Sequence, residues 1–240
     1  MEPRQYLDTI GLFSHNPHNG VGMWPAELTL LESLLPKTHY TFCEVGSHNG
    51  GSLLISHFHR TANNLSGIDI AIDPNFSPYF DLNMRRARCY PKKCVGTIDD
   101  LPQFLSTIDD DWEIPQQFID VALVDGMHSF RDILKDYYGL KPYLKQDAKI
   151  LFHDVSPRVQ DKYKRKEILE WTLSNLDYLN SLDYEDFYVC EAYCYLEHVE
   201  NLEHIDCKID CFHPHETGLT SWIRSKTSPS SALAALKFKG

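Results

Sequence analysis

The sequence predicts an α/β protein with a Rossmann-like, doubly wound, mostly parallel seven-stranded sheet and helices on both faces. Short apolar runs alternate with amphipathic segments through residue 156, as strands and helices do in such sheets. The run at 118–124 (FIDVALV) is almost continuously apolar, which is typical of a parallel strand buried on both faces. With 240 residues, the chain is long enough for one domain of this kind with additional segments.

We expect three segments along the chain. Residues 1–39 form an N-terminal helical or lid segment, in which the leucine-rich run 26–35 is a helix that Pro36 stops. Residues 40–226 form the Rossmann-like domain. Residues 227–240 are a loose tail or a short docking helix.

Within the domain, apolar runs bounded by turn residues mark the strands, and amphipathic runs mark the helices. The predicted strands are 40–45, 65–70, 93–97, 118–124 and 149–152, and the helices between them are 52–58, 81–88, 101–108 and 129–142. Beyond residue 180 the pattern is weaker. There, 187–195 and 218–225 have strand-like composition, and the Cys/His-rich segment between them has no assignment.

Charge and hydropathy exclude several classes of partner. The formal net charge is -11, which disfavours nucleic acid because phosphate binding needs a basic face. No apolar run approaches the ~20 residues that span a membrane, and the N-terminus lacks the apolar core of a signal peptide. We therefore expect a cytoplasmic protein with a small-molecule substrate, no membrane and no nucleic acid. Homo-oligomerisation stays open.

Seven cysteines without a secretion signal indicate reduced thiols. Two C-x3-C pairs lie among histidines, so we weighed structural zinc; the usual spacing, however, is C-x2-C. Because free cysteine is among the most buried residue types, core packing is the favoured interpretation. The residues concerned are Cys190, Cys194, Cys207 and Cys211, with His198, His204, His213 and His215 nearby.

A glycine-rich turn at 41–52 (TFCEVGSHNGGS) joins the first strand to a helix start. Its spacing is E-x-G-x-x-x-G, which differs from the G-x-G-x-x-G of dinucleotide binders, and no lysine follows as in a phosphate-binding P-loop. Glycines allow positive φ and let a ligand approach the backbone, and a helix N-terminus offers free N–H groups.

Each predicted strand ends in or beside a carboxylate. The residues at these ends are Glu44, then Asp69, then Thr97 with Asp99 and Asp100, then Asp125 with His128, and finally His153 with Asp154. The carboxyl ends of parallel strands meet at one edge, where ligands bind in such folds. Charged groups there are costly unless they face a cleft and have partners.

This pattern resembles the class I S-adenosylmethionine-dependent methyltransferases over roughly residues 25–156. EVGSHNGGS at 44–52 is similar to their first motif, and LSGIDI with Asp69 is similar to their second. The segment 124–155 (VDGMHSFRDILKDYYGLKPYLKQDAKILFHDV) resembles a branch with an Asp-Gly-x-His signature and a His-Asp pair after strand five. That branch includes sugar and natural-product O-methyltransferases.

The resemblance implies a binding site for S-adenosyl-L-methionine. The glycine turn would shape the pocket for the methionine end, Asp69 would accept hydrogen bonds from the ribose hydroxyls, and Thr97 or Asp99 would lie near the adenine. The implied cofactor-binding residues are Glu44, Gly46, Ser47, Gly50, Ser52, Asp69, Thr97, Asp99 and Asp125. Capping or turn formation alone is the alternative reading of these residues.

The resemblance also implies a divalent metal, Mg²⁺ or Mn²⁺, held by Asp125, His153 and Asp154. A metal would bind the substrate hydroxyl and lower its pKa. The imidazole of His153 departs from the acidic residue of the established metal enzymes, and it suits Mn²⁺, Fe²⁺ or Zn²⁺ better than Mg²⁺. Without a metal, His128 or His153 would act as the general base, with Asp125 as their partner in catalysis.

We therefore predict an enzyme that transfers a methyl group to a hydroxyl of a small, sugar-like or natural-product-like acceptor. Three alternative functions are also compatible with the sequence. One is N-methylation of a small amine, and another is a non-catalytic cofactor-binding module that uses residues 190–215 as a partner surface. The third is a redox iron site built from Asp125, His128 and His153.

Overall fold

In the computed structural model, residues 25–108, 116–182, 187–209 and 232–239 are described. The strands are β1 (Tyr40–Val45), β2 (Gly67–Asp73), β3 (Lys92–Val95), β4 (Ile119–Val124), β5 (Leu144–Phe152), β6 (Leu202–Ile209) and β7 (Ala232–Phe238). The helices are α1 (Pro25–Leu34), α2 (Gly51–Ala62), α3 (Phe80–Ala87), α4 (Leu101–Thr107), α5 (Phe130–Leu140), α6 (Lys162–Ser174), α7 (Leu176–Ser181) and α8 (Val189–Val199). Short 3₁₀ turns occupy Ile98–Asp100, Lys141–Tyr143 and Pro157–Gln160.

All seven strands join one sheet in the order β3-β2-β1-β4-β5-β7-β6. The neighbours from β3 to β5 pair in parallel, whereas β7 runs antiparallel to both β5 and β6. Strand order reverses between β1 and β4, which is the switch point where ligands bind in doubly wound sheets. The predicted fold class is confirmed.

A hydrophobic core lies on each face of the sheet, because side chains along a strand alternate between its faces. In β1, Tyr40 and Phe42 pack into one core with α1, α2 and α3. Cys43 and Val45 pack into the other core with α4, α5 and α8. The sheet is therefore the middle of three layers, and its polar groups collect at its edges.

The strand ends lie level with one another. Val45 of β1 is opposite Ile72 of β2 and Val124 of β4, and Val124 is opposite Phe152 of β5. The loops after these four strands therefore leave the sheet at one height, which brings the polar residues that follow them together.

Three sequence predictions are wrong in the described regions. The second strand does not end at Ile70 but continues to Asp73. Residues 187–195 are not a strand; α8 begins at Val189. The expected tail over 227–240 contains β7, whose residues Ala232–Leu236 are fully buried. The strand-like pattern at 218–225 lies outside the described residues.

Tertiary context explains the errors at α8 and β7. The β7 sequence ALAALKF consists mostly of strong helix formers, yet it fills the gap between β5 and β6, and pairing there outweighs the helical preference. Aromatic residues in 187–195 suggested a strand, but Val189, Ala192, Tyr193 and Leu196 are buried at helical spacing.

None of the helices in the described part of the chain combines the length and apolarity that crossing a bilayer requires.

Candidate active site

The turn after β1 depends on Gly46. Its φ is +86°, and a Cβ atom added there would lie 2.0 Å from the carbonyl oxygen of Asp125. Its N–H donates to the Ile72 carbonyl at 2.8 Å, so the turn is fastened between β2 and the loop after β4. Gly46 therefore allows a close approach between this turn and the loop after β4, which a side chain would prevent.

Gly50 starts α2 in the left-handed conformation, at φ 79°. A Cβ atom there would lie 2.3 Å from Met84 Cε, so α3 closes over the turn. Ser47 and Ser52 are buried beside it. The first N–H groups of α2 thus begin directly at the glycine turn, where a polar ligand can accept from them.

Glu44 is a buried carboxyl group at the floor of this turn. One of its oxygens accepts from Ser52 Oγ, and Oε2 accepts no hydrogen bond from any residue that the structure describes. Burial raises the pKa of Glu44 to about 8, although its bond with Ser52 opposes that shift. A buried acceptor without a donor is costly, so this oxygen is suited to a donor on a ligand.

Asp69 is not at the carboxyl edge, which corrects its predicted place. It lies opposite Phe42 in the first half of β2 and forms a buried ion pair with Arg60. Ser56 Oγ also donates to it at 2.8 Å. Burial raises the pKa of Asp69, against the lowering effect of Arg60. Asp69 therefore satisfies a buried arginine of α2.

The acidic residue at the end of β2 is Asp73, which the sequence prediction missed. Its two carboxylate oxygens accept from the backbone N–H groups of His48 and Asn75, each at 2.7 Å. Asp73 thus stands beside the glycine turn, where Asp69 was expected. The apolar run that continues to Ile72 is the signal that could have identified it.

The residues after β3 have local partners. The Thr97 N–H donates to the Asp100 carboxylate at 2.9 Å, which caps the short helical turn there. Asp99 pairs with Lys135 at 2.5 Å, and its side chain is 65% exposed. The neighbouring Gly96 N–H donates to the Asp73 carbonyl at 3.2 Å, so this loop adjoins the end of β2. Asp99 itself faces solvent and α5.

The loops after β4 and β5 bring two histidines and two aspartates together. His153 Nδ1 lies 2.9 Å from Asp125 Oδ1. His128 Nε2 lies 3.1 Å from Asp154 Oδ2 and 3.7 Å from Asp125 Oδ1. Asp154 adopts a left-handed backbone conformation with φ 57°, which turns the chain at this point. The four predicted residues of this half-site therefore converge.

Charge pairing sets the protonation of this group. Burial alone would lower the pKa of His128, but Asp125 and Asp154 raise it to about 9. Burial likewise opposes protonation of His153, yet Asp125, Glu27 and Asp154 raise its pKa well above the usual value. Burial would raise the pKa of Asp125, and the two histidines lower it instead. Asp125 is thus ionised and the two imidazoles are protonated near neutrality.

The geometry places His128 rather than His153 among the candidate metal ligands. Ligand atoms of Asp125, His128 and Asp154 all lie within 4.8 Å of one another. The buried His128 Nε2 makes no well-directed hydrogen bond within the described residues. Both nitrogens of His153 instead face carboxylates, those of Asp125 and Glu27. The geometry therefore offers Asp125, His128 and Asp154 as a second possible ligand set, and the predicted set of Asp125, His153 and Asp154 stays a prediction.

An aromatic side chain that the sequence prediction missed flanks this half-site. The Phe187 ring stacks on His128, with centroids 4.8 Å apart and planes at 12°. The backbone N–H of Tyr188 donates to the His128 carbonyl at 2.9 Å, which ties the start of α8 to this loop. Met127 is about half exposed next to them. These residues make an apolar wall beside the histidine.

The described cysteines support core packing. Cys190 and Cys194 lie on α8 and Cys207 lies on β6, all as free thiols. Cys190 Sγ accepts from the Ser156 N–H at 2.8 Å. Among the described residues, these three cysteines do not join a metal-like cluster. Cys211, His213 and His215 lie outside the described residues.

Comparison with known proteins gives a family and a fold. Residues 43–155 match a family described as a methyltransferase domain. No curated protein matches the sequence. The chain is similar in structure to the O-methyltransferase TomG of Streptomyces achromogenes, solved with S-adenosylmethionine, at 13% identity and TM-score 0.53, with 99% of this chain and 88% of TomG covered. It is also similar to an O-methyltransferase of Bacillus cereus solved with S-adenosylhomocysteine, at 14% identity and TM-score 0.50, with coverages of 98% and 89%.

The seven-stranded sheet, with its glycine turn and strand-end carboxylates, has the fold of these solved methyltransferases. Residues 43–155, just under half of the chain, are similar to a methyltransferase domain, which agrees with the class predicted from the sequence.

Proposed function

We propose that this protein transfers the methyl group of S-adenosyl-L-methionine to a hydroxyl group of a small molecule, sugar-like or natural-product-like. One observation carries the proposal: a glycine turn with an unpaired buried carboxyl oxygen lies beside a convergent His/Asp group at the same sheet edge. The first half suits the cofactor, and the second half suits the acceptor.

In the cofactor half, the free oxygen of Glu44 accepts from the amino group of the methionine moiety. The positive charges of the amino group and of the sulfonium favour the ionised form of Glu44, whereas burial favours its neutral form. Asp73 takes the ribose role that the sequence assigned to Asp69. Each carboxylate oxygen has two acceptor sites, so Asp73 can hold the His48 and Asn75 N–H groups and still accept from ribose hydroxyls. The solved O-methyltransferases with this fold contain S-adenosylmethionine or its demethylated product.

In the acceptor half, Asp125, His128 and Asp154 fit a divalent metal. Two carboxylates and one imidazole suit Mn²⁺ better than Mg²⁺, and the buried Nε2 of His128 faces both carboxylates, where a metal could take the place of its proton. When bound, such a metal lowers the pKa of a hydroxyl that it contacts. The protein orients the acceptor between this group and Phe187, since methyl transfer depends chiefly on proximity and alignment.

The protonated state of both histidines disfavours the alternative in which one of them acts alone as general base. A base must be neutral to accept the acceptor's proton, whereas neighbouring carboxylates raise the pKa of His128 to about 9 and that of His153 well above its usual value. A metal on His128 would displace its proton, which is the arrangement we favour.

Binding and turnover experiments test this proposal. Isothermal titration should show S-adenosylhomocysteine binding with a Kd on the order of 1 μM, and incubation of S-adenosylmethionine with hydroxylated small molecules should release the demethylated product. Mn²⁺ should bind in electron paramagnetic resonance titrations, and His128→Asn should weaken it while His198→Asn, an exposed histidine on α8, should not. Absence of cofactor binding with and without Mn²⁺ would refute the function.

A further inference from the structure

Glu27 is a buried carboxylate next to the acceptor half-site. It lies in the first turn of α1 and is 0% exposed. Its Oε2 lies 3.4 Å from His153 Nε2. These two residues are 126 positions apart in the sequence. The carboxylate at the end of β5 therefore comes from α1, and not from one of the loops that follow the strands.

The position of α1 is fixed along β5 at two points. At its C-terminal end, the Leu34 carbonyl accepts from Lys149 Nζ, which lies three residues before the end of β5. At its N-terminal end, Glu27 meets His153, just beyond the end of β5. Leu30, Leu31 and Leu34 are buried in the core on that face of the sheet. The helix therefore runs opposite to β5, with Glu27 held at the carboxyl edge.

With Glu27 included, acids and imidazoles alternate across the edge. Glu27 meets His153, His153 meets Asp125, Asp125 faces His128, and His128 meets Asp154, at 3.4, 2.9, 3.7 and 3.1 Å. His128 thus lies between two carboxylates, and His153 also has Asp154 Oδ1 at 3.6 Å from its Nδ1. A buried charge is tolerated when it is paired, and each member here pairs with its neighbours.

We propose that Glu27 is a positioning residue of the methyl-transfer site: it holds one nitrogen of His153 so that the other nitrogen orients Asp125 toward His128. This inference rests on the proposed function, because it assigns Asp125 and His128 to the acceptor half-site. Removal of Glu27 takes away this acceptor of His153 Nε2, so the ring orients Asp125 less precisely. Outer partners of ligand residues commonly set the orientation of those residues in this way.

The experiment compares four proteins: wild type, Glu27→Leu, Glu27→Gln and Glu32→Leu. Leucine removes the acceptor and keeps most of the volume, whereas glutamine keeps an acceptor oxygen without the charge. Glu32 lies on the same helix but is partly exposed, and it serves as the control. Each protein is labelled with ¹⁵N-histidine, and His153→Asn identifies the His153 ring signals. Circular dichroism and thermal melting verify that each variant is folded.

We expect the His153 Nε2–H signal to be present in wild type and Glu32→Leu, retained in Glu27→Gln, and lost or strongly shifted in Glu27→Leu. Mn²⁺ affinity should fall about tenfold in Glu27→Leu and much less in Glu27→Gln. The affinity for S-adenosylhomocysteine should stay within about twofold in all four proteins, because Glu27 lies on the β5 side of the edge, away from the glycine turn.

Identical His153 signals in wild type and Glu27→Leu would overturn the inference, as would an equal loss in the control. If Glu27→Leu does not fold, Glu27→Gln is compared with Glu27→Asp, whose side chain is shorter. A His153 Nε2–H signal that is retained in Glu27→Gln and lost in Glu27→Asp supports the positioning role. Failure of the wild-type protein to bind S-adenosylhomocysteine would count against the proposed function. The His153 ring signals would still show whether Glu27 contacts His153.

Discussion

At the scale of single residues, the two aspartates of β2 show how position along a strand decides a role. Asp69 lies opposite Phe42 and faces α2, where the guanidinium of Arg60 and the hydroxyl of Ser56 compensate for its burial. Asp73 lies at the strand end, where its oxygens reach the turn after β1. The first residue therefore stabilises the fold, and the second lies where we propose the cofactor pocket.

This difference predicts opposite results for the two Asp→Asn variants. Asp69→Asn leaves Arg60 as a buried charge without its counterion, which should cost roughly 3 kcal/mol in the free energy of unfolding and change the affinity for S-adenosylhomocysteine by less than about twofold. Asp73→Asn removes a charged acceptor of ribose hydroxyls and should weaken that affinity by about tenfold or more.

Urea denaturation and isothermal titration measure these two quantities on the same samples. Asp177→Asn, an exposed change on α7, is the control and should leave both unchanged. If Asp69→Asn instead abolishes cofactor binding at normal stability, the assignment of the two residues is reversed.

The same residues show what could be predicted from the sequence. Glu44, Gly46, Asp125, His128 and Asp154 follow compact local patterns, and the structure brings them to one edge. Asp69 was misplaced because β2 holds two acids, GIDIAID, and its apolar run does not reveal which one ends the strand. Glu27 and Phe187 were missed because their contacts join distant parts of the chain, and local patterns carry no signal for such contacts.

At the scale of elements, the start of α5 holds His128 in place. Ser129 is the N-cap: its Oγ accepts from the Asp132 N–H at 3.2 Å and donates to the Asp132 carboxylate. The residue before this cap is His128, whose carbonyl is bound by Tyr188 of the α8 start. The cap of one helix and the first turn of another therefore fix the same loop.

Ser129→Ala should lower the free energy of unfolding by about 1 kcal/mol, because a helix N-terminus loses its side-chain acceptor. Chemical denaturation measures the change. Ser106→Ala is a matched control, since that exposed serine lies within α4 and bonds only to a carbonyl of its own helix in the described structure. An equal cost for both variants would show that the cap contributes nothing specific.

The secondary-structure elements also show which strands could be predicted from the sequence and which could not. The strands β1, β2 and β4 and the second half of β5 were recognised because each is an apolar run followed by a polar turn. In β7, the run of alanine and leucine favours a helix locally, and only the open position between β5 and β6 makes it a strand. Local preference determines whether a segment is a helix or a strand only when its neighbours allow both. In β7, pairing with β5 and β6 allows only a strand.

At the scale of the whole molecule, the folded protein binds more protons than the unfolded chain does near neutral pH. Burial raises the pKa of four carboxyl groups: to about 8 for Glu44, to about 7 for Asp136 and Glu191, and also for Asp69. Acidic neighbours, working against burial, raise the pKa of His128 to about 9 and that of His153 well above its usual value. Asp125, whose pKa is lowered, acts in the opposite sense at acid pH, and so do three histidines whose pKa is lowered by burial, His57, His59 and His204, below about pH 7.

These shifts predict that stability falls as pH rises from about 5.5 to about 8.5. A carboxyl whose pKa is raised by folding destabilises the fold increasingly above its unfolded pKa, near 4, until it ionises in the folded state. A histidine whose pKa is raised stabilises the fold fully below its unfolded value, near 6.5, and loses this contribution as pH rises through the folded value. Both effects have the same sign over this range, and they involve more groups than the three histidines with lowered pKa that oppose them below about pH 7, so the melting temperature should decrease.

Thermal melting at pH 5.5, 7.0 and 8.5 measures the slope, and buried-acid variants identify its source. Asp136→Asn and Glu191→Gln cannot ionise, so each should flatten the decrease by raising the melting temperature at pH 8.5 more than at pH 5.5. Glu170→Gln changes an exposed acid on α6 and should reproduce the wild-type slope. A melting temperature that rises with pH in wild type would contradict the account, because the folded protein would then bind fewer protons than the unfolded chain, and the buried acids could not be neutral.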